Sequence, residues 1–69
     1  MNARLTVAVN GVPRDVAAGS VADLVAALGL AGKRIAVERN GEIVPRSRYT
    51  QTPLVQGDRL EIVGAVGGG

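Results

Sequence analysis

The sequence predicts an α+β domain in which one main helix packs on one face of a mixed sheet of four to five strands. Three observations carry this prediction. Runs with the two-residue period of half-buried strands stand on both sides of a single run with helical period. Two Asn-Gly pairs fall between strand-like runs, where both positions tolerate positive φ and favour a tight hairpin. The chain has only 69 residues, so a helix crossing between strands has one small sheet to cover.

Each element follows from its local pattern. Leu5, Val7 and Val9 alternate with Arg4, Thr6 and Asn10, with Ala8 neutral, which is the period of a strand with one buried face. Asn10-Gly11 turns the chain into a return strand over Val12–Ala17. Pro13 in that strand cannot donate to a ladder, which places it at an edge or at a strand start. Ser20 is positioned to cap a helix, with Asp23 three residues on to complete a capping box. Val21, Leu24, Val25 and Leu28 then fall at i, i+3, i+4 and i+7, a single apolar stripe. Gly29 is suited to end the helix in a left-handed conformation, with Leu30 folding back on Val25.

The second half reads as strand, short strand, strand. Ile35–Arg39 is a strand with Ile35 and Val37 inward, and Asn40-Gly41 turns it into Glu42–Val44, stopped by Pro45. Residues 46–55 are polar and irregular in pattern, with Tyr49 as the one bulky anchor and Pro53 opposing a regular ladder. Gly57-Asp58 is a turn. Residues 59–63 alternate, with Leu60 and Ile62 on one face. The organisation is therefore one domain over residues 1–63 and a flexible C-terminal tail over 64–69.

Composition narrows the function. Apolar residues make up 46% of the chain, yet there is no Phe or Trp and one Tyr, so the core is built from Val, Leu, Ile and Ala. A chain this small holds one modest core and no deep cavity. With no Cys and no His, disulfides, thiolate metal sites and the usual neutral-pH acid-base group are all excluded. The pI near 9.9 reflects a net charge of only +2, and the charges are interspersed, as in Arg14-Asp15, Glu38-Arg39 and Arg59-Leu60-Glu61. There is neither a basic stripe nor an aromatic platform for nucleic acid. No run approaches the roughly 18 apolar residues of a membrane span. Met1-Asn2-Ala3-Arg4-Leu5 lacks the long apolar run and small-residue cleavage site of a signal peptide, so the expected location is the cytoplasm.

The basic side chains read first as solvated surface, with Arg46, Arg48 and Arg59 as a weaker candidate for a partner-facing patch. Lys33, the one lysine, and Arg34 lie just past the helix, where a cation complements the end carbonyls. The feature that carries function is the tail. After an alternating strand and the short apolar Ala65-Val66 comes Gly67-Gly68-Gly69, and the sequence ends there. A plain spacer would more often contain Ser, Asn or charge. Six extended residues reach roughly 20 Å. Glycine lacks a Cβ, so such an arm can pass through a narrow slot and bring a terminal carboxylate to another protein's buried nucleotide. The candidate site is thus the Gly69 carboxylate, with Val66, Gly67 and Gly68 as the partner-binding tail.

The sequence resembles the ThiS family, the small sulfur carrier proteins of thiamine biosynthesis, over essentially its whole length. The resemblance rests on Val9-Asn10-Gly11, Ser20-Val21-Ala22-Asp23-Leu24 and Asn40-Gly41-Glu42-Ile43-Val44-Pro45-Arg46. It continues through Gly57-Asp58-Arg59-Leu60-Glu61-Ile62-Val63 to Val66-Gly67-Gly68-Gly69. It implies a ubiquitin-like β-grasp fold and a carrier, not an enzyme, with no cofactor or metal bound by this chain. An E1-like adenylyltransferase of the ThiF type would use ATP and Mg to convert the Gly69 carboxylate to a glycyl adenylate. A cysteine-derived persulfide sulfur donor would then displace AMP and leave a thiocarboxylate (1-thioglycine) at Gly69. Thiazole synthase of the ThiG type would take that sulfur. Alternative readings are the small subunit of molybdopterin synthase, which uses the same chemistry, a lysine-conjugated ubiquitin-like modifier, and a β-grasp binding module with an inert tail. The stretch Gly64-Ala65-Val66 lacks the aromatic residues and prolines that the molybdopterin subunit tends to carry before its tail, which favours thiamine.

Overall fold

A computed structural model describes residues 3–64. Five strands, one α-helix and one 3₁₀ helix follow one another as β1 (Arg4–Val9), β2 (Val12–Ala17), α1 (Val21–Ala27), β3 (Ile35–Arg39), β4 (Glu42–Val44), the 3₁₀ helix (Arg46–Gln51) and β5 (Arg59–Gly64). The strands form one sheet in the order β2-β1-β5-β3-β4. β1 and β5 pair in parallel, with Ala8 opposite Arg59 and Val9 opposite Leu60, while every other neighbouring pair is antiparallel. The last strand in the chain therefore lies at the centre of the sheet.

The two hairpins form where Asn-Gly predicts them. Asn10 and Gly11 have φ of 52° and 82°, and Asn40 and Gly41 have 53° and 86°, the paired positive values of a type I′ turn. Pro13 lies on β2, an edge strand, where the missing N–H costs the sheet nothing.

Helix α1 is closed at both ends by its own sequence. The Asp23 N–H donates to Ser20 Oγ, and the Ser20 N–H donates to Asp23 Oδ2 at 2.8 Å, a reciprocal capping box. At the other end Gly29 takes φ +75°, its N–H donates to the Ala26 carbonyl, and the Leu30 N–H donates to the Val25 carbonyl. These two bonds are the Schellman pattern, which satisfies carbonyls that would otherwise be orphaned. Val21, Leu24 and Val25 are buried against Val7, Val9, Val37, Leu60 and Ile62 of the sheet. The core is aliphatic, as the composition requires, and Tyr49 packs at its margin.

Two features differ from the sequence expectation. Residues 46–51, expected to be irregular, form the 3₁₀ helix. Pro45 sets its start with φ −63° and ψ 147°, the Arg48 N–H donates to the Pro45 carbonyl at 2.8 Å, and Thr52 Oγ1 closes the end on the Arg48 carbonyl at 2.7 Å. The segment buries only the side of Tyr49, so it has no apolar period to read. Gly64, expected to begin the tail, is the final residue of β5 and sits opposite Ile35. Beyond the 3₁₀ helix, Pro53 makes a lone bridge with Ser20, flanked by bonds from the Val21 N–H to Thr52 and from the Leu54 N–H to Gly19. This strap ties the helix entry to the approach to β5.

Candidate functional site

The expected site residues Val66, Gly67, Gly68 and Gly69 lie outside the described residues. What the structure places is the strand that leads to them. β5 pairs with β1 at its first two residues, Arg59 and Leu60, and with β3 from Leu60 to its last residue, Gly64, which lies opposite the first residue of β3. A Cβ added at Gly64 would meet nothing within 4 Å among the described residues.

Both Asn-Gly turns do more than reverse the chain. The Asn10 side chain reaches across to β5: its Nδ2 donates to the Ile62 carbonyl at 2.9 Å, and the Ile62 N–H donates to its Oδ1 at 2.8 Å. The side chain thus acts as one more rung of the ladder beyond the end of β1. At the other end Asn40 holds Arg59 with side chain and backbone together: its Oδ1 accepts from the Arg59 N–H at 2.9 Å, and its backbone N–H donates to the Arg59 carbonyl at 2.7 Å. The two amides fasten the central strand at its entry and two residues short of its exit.

Asp58 anchors the entry. It is 5% exposed and the one buried charged or polar residue among those described. Its Oδ2 accepts from Arg39 Nε at 2.8 Å and from the Val55 N–H at 2.8 Å, and its Oδ1 accepts from Asn40 Nδ2 at 3.0 Å. Burial pushes this carboxyl up, but the bonds from Arg39, Asn40 and Val55 and the Arg39 charge outweigh it, so its pKa lies below the ordinary value. Both oxygens are engaged, which makes Asp58 a positioning group for the 55–58 turn rather than a proton donor. In the sequence Asp58 and both asparagines read as turn residues first. The available signal was that each turn uses Asn, whose amide can both donate and accept, where Gly or Asp would also turn.

The three arginines line different surfaces. Arg46 borders a cavity with Lys33, Ile35 and Tyr49, Arg48 borders a different one with Arg39 and Glu42, and Arg59 borders neither. Among the described residues no group of three or more His, Cys, Asp or Glu side chains could hold a metal ion. No helix among them is long and apolar enough to cross a membrane.

One helix laid against a five-stranded sheet of this order, with its last strand central and parallel to its first, is a ubiquitin-like β-grasp domain. A family model described as the ThiS family matches residues 3–69, and the chain belongs to that family. A crystal structure of the thiamine biosynthesis protein ThiS from Geobacter metallireducens superposes with a TM-score of 0.81 at 33% identity, over 94% of this chain and 100% of that one. The sulfur carrier protein ThiS of Bacillus subtilis is 45% identical over 51 residues, 74% of this chain and 77% of that protein. A thiazole synthase of Paramagnetospirillum magneticum is 47% identical over 62 residues, 88% of this chain. Another from Magnetococcus marinus is 39% identical over 61 residues. The chain spans 19% of the length of each of these two synthases.

Proposed function

We propose that this chain is the sulfur carrier for building the thiazole ring of thiamine, acting in the cytoplasm as a protein co-substrate with its Gly69 carboxylate as the working group. The observation that carries the reading is the family match, which runs through the glycines to residue 69. The relatives named as a sulfur carrier and as thiazole synthases support the pathway and the receiving partner.

The chemistry asks little of the carrier's side chains. A free carboxylate is a poor acyl donor. In the active site of a ThiF-type adenylyltransferase its oxygen attacks the α-phosphorus of ATP, Mg balances the phosphate charge, and pyrophosphate leaves. The mixed anhydride has AMP as a good leaving group. The terminal sulfur of a cysteine-derived persulfide attacks the glycyl carbonyl and expels AMP, giving an acyl disulfide. A second thiol then attacks the disulfide sulfur distal to the acyl group, forms a new disulfide and releases the thiocarboxylate. That anionic, soft sulfur is the nucleophile delivered to thiazole synthase. A β-grasp core with a rigid central strand suits this role, because it presents the arm from one fixed point. Val66, Gly67 and Gly68 are the part threaded into both partners.

A strain lacking this chain tests the reading. It should require thiazole, be rescued by the full chain, and fail to be rescued by a chain lacking Gly68 and Gly69. Rescue by the truncated chain would overturn the carrier reading, and loss of molybdoenzyme activity without a thiazole requirement would move it to molybdopterin.

A further inference from the structure

A cavity opens between the C-terminal end of α1 and the 3₁₀ helix, close to where β5 ends. It is a half-open hollow of about 130 Å³ whose lining includes Val25, Leu30, Ile35 and Tyr49 together with Lys33 and Arg46. That is less than half of even a small ligand site of about 300 Å³. It approaches the roughly 150 Å³ that holds a single benzene ring. The walls are fixed. Leu30 is held by the Schellman bond to Val25, the Lys33 N–H donates to the Leu30 carbonyl at 3.0 Å, and Arg46 Nη2 donates to the Lys33 carbonyl at 3.4 Å. Both border cations are exposed, and neither is in an ion pair among the described residues. Ile35 lies directly opposite Gly64, so the cavity adjoins the root of the C-terminal segment.

We infer that this cavity is a docking socket for one apolar side chain of thiazole synthase that stands beside a carboxylate, the side chain entering the cavity and the carboxylate meeting Lys33 and Arg46. The inference rests on the carrier reading. The volume and apolar walls of the cavity select a single hydrophobic side chain, and two exposed cations at the mouth, in no ion pair among the described residues, select negative charge next to it. The synthase is the partner chosen because two proteins of that name contain a stretch similar to this chain within a much longer polypeptide.

The test is calorimetric titration of the full-length chain with purified thiazole synthase from the same cell, at low and high salt, with unchanged circular dichroism required of each variant. Arg46→Glu and Lys33→Glu should each weaken binding by about 10-fold at ~50 mM salt, and the loss should shrink to about 3-fold or less at ~0.5 M. Ala31→Phe, at an exposed position lining the cavity, should fill the mouth and weaken binding at both salt concentrations. Arg14→Glu makes the same charge change on the far edge strand and should stay within about 2-fold of wild type. Wild-type binding with Arg46→Glu and Ala31→Phe unchanged overturns the inference alone, as does an equal loss with Arg14→Glu. Effects confined to titrations with the adenylyltransferase overturn the choice of partner. No binding by the wild-type chain overturns the inference together with the carrier reading beneath it.

Discussion

Replacing Asp58 with Ala should be among the most damaging single changes in this domain, although Asp58 is not itself an expected site residue. The carboxylate is 5% exposed and accepts from the Arg39 guanidinium, the Asn40 amide and the Val55 N–H. Truncation leaves three donors without an acceptor. Two neutral donors at about 1 kcal/mol each and a charged one at about 1.5–3 kcal/mol give a loss of about 3.5–5 kcal/mol. The Arg39 side chain is 27% exposed and partly rehydrates, which lowers the expected loss to about 3–4 kcal/mol. A 69-residue domain has about 3–10 kcal/mol in all, so the variant should be marginal or unfolded at 37 °C. Urea denaturation at pH 7 and at pH 5 measures the loss directly. The pH dependence adds a second check. Because the folded pKa is depressed, the stabilisation from ionised Asp58 is complete above its unfolded value of about 3.9 and drains away as pH falls from there through the folded value. The wild type should lose stability in that acid window, and any variant folded enough to measure, Asp58→Asn included, should lose less. A cost below about 1 kcal/mol for Asp58→Ala, or identical acid profiles for wild type and Asp58→Asn, would refute the reasoning.

Three further changes probe the core, the clamp and the arm. Leu24→Ala empties a site 2% exposed beneath the sheet and should cost about 2–5 kcal/mol in urea denaturation, with chemistry at the tail affected only through unfolding. Asn10→Gly keeps the positive φ of the turn but removes both side-chain bonds to Ile62. It should cost about 1–2 kcal/mol and speed hydrogen exchange of the Ile62 amide, and unchanged exchange would show that the amide is not a ladder rung. Gly68→Val should leave the denaturation curve unchanged while blocking adenylation in a pyrophosphate-release assay, and normal adenylation would contradict the narrow-slot argument.

Sequence reasoning succeeded where the determinants are close in the chain. Ser20, Asp23, Gly29 and Leu30 specify both ends of α1 within eleven residues, and each makes the bond that its position predicts. Asn10-Gly11 and Asn40-Gly41 likewise place the hairpins, and Pro13 marks an edge. What the pattern could not reveal is non-local. The parallel pairing of β1 with β5 joins residues about fifty positions apart, and nothing in the alternation of either strand states its neighbour. The double use of Asn10 follows from that pairing, since its amide meets Ile62 only once β5 lies beside β1. Asp58 was hidden for a similar reason: a Gly-Asp turn reads as exposed until Arg39 and Asn40 are brought against it. The 3₁₀ helix has one inward side chain, Tyr49, and so leaves no period in the sequence. Gly64 read as the start of a tail because glycine weakens strands, yet here the ladder to β3 carries it.

The central claim is that Gly69 carries sulfur, and the most direct measurement is mass spectrometry of the C-terminal peptide after thiol-selective alkylation. The protein should come untagged from its own cells, grown replete in sulfur and starved of thiamine. Whole-protein mass is insufficient, because replacing oxygen by sulfur is nearly isobaric with oxidation of Met1. The chain contains no Cys, so no side-chain thiol competes for the reagent. The account predicts an alkylated peptide that ends at Gly69 with the label on its terminal acyl group. A peptide ending at Gly69 as an unmodified carboxylate under those conditions, or a chain that continues past Gly69, would contradict it.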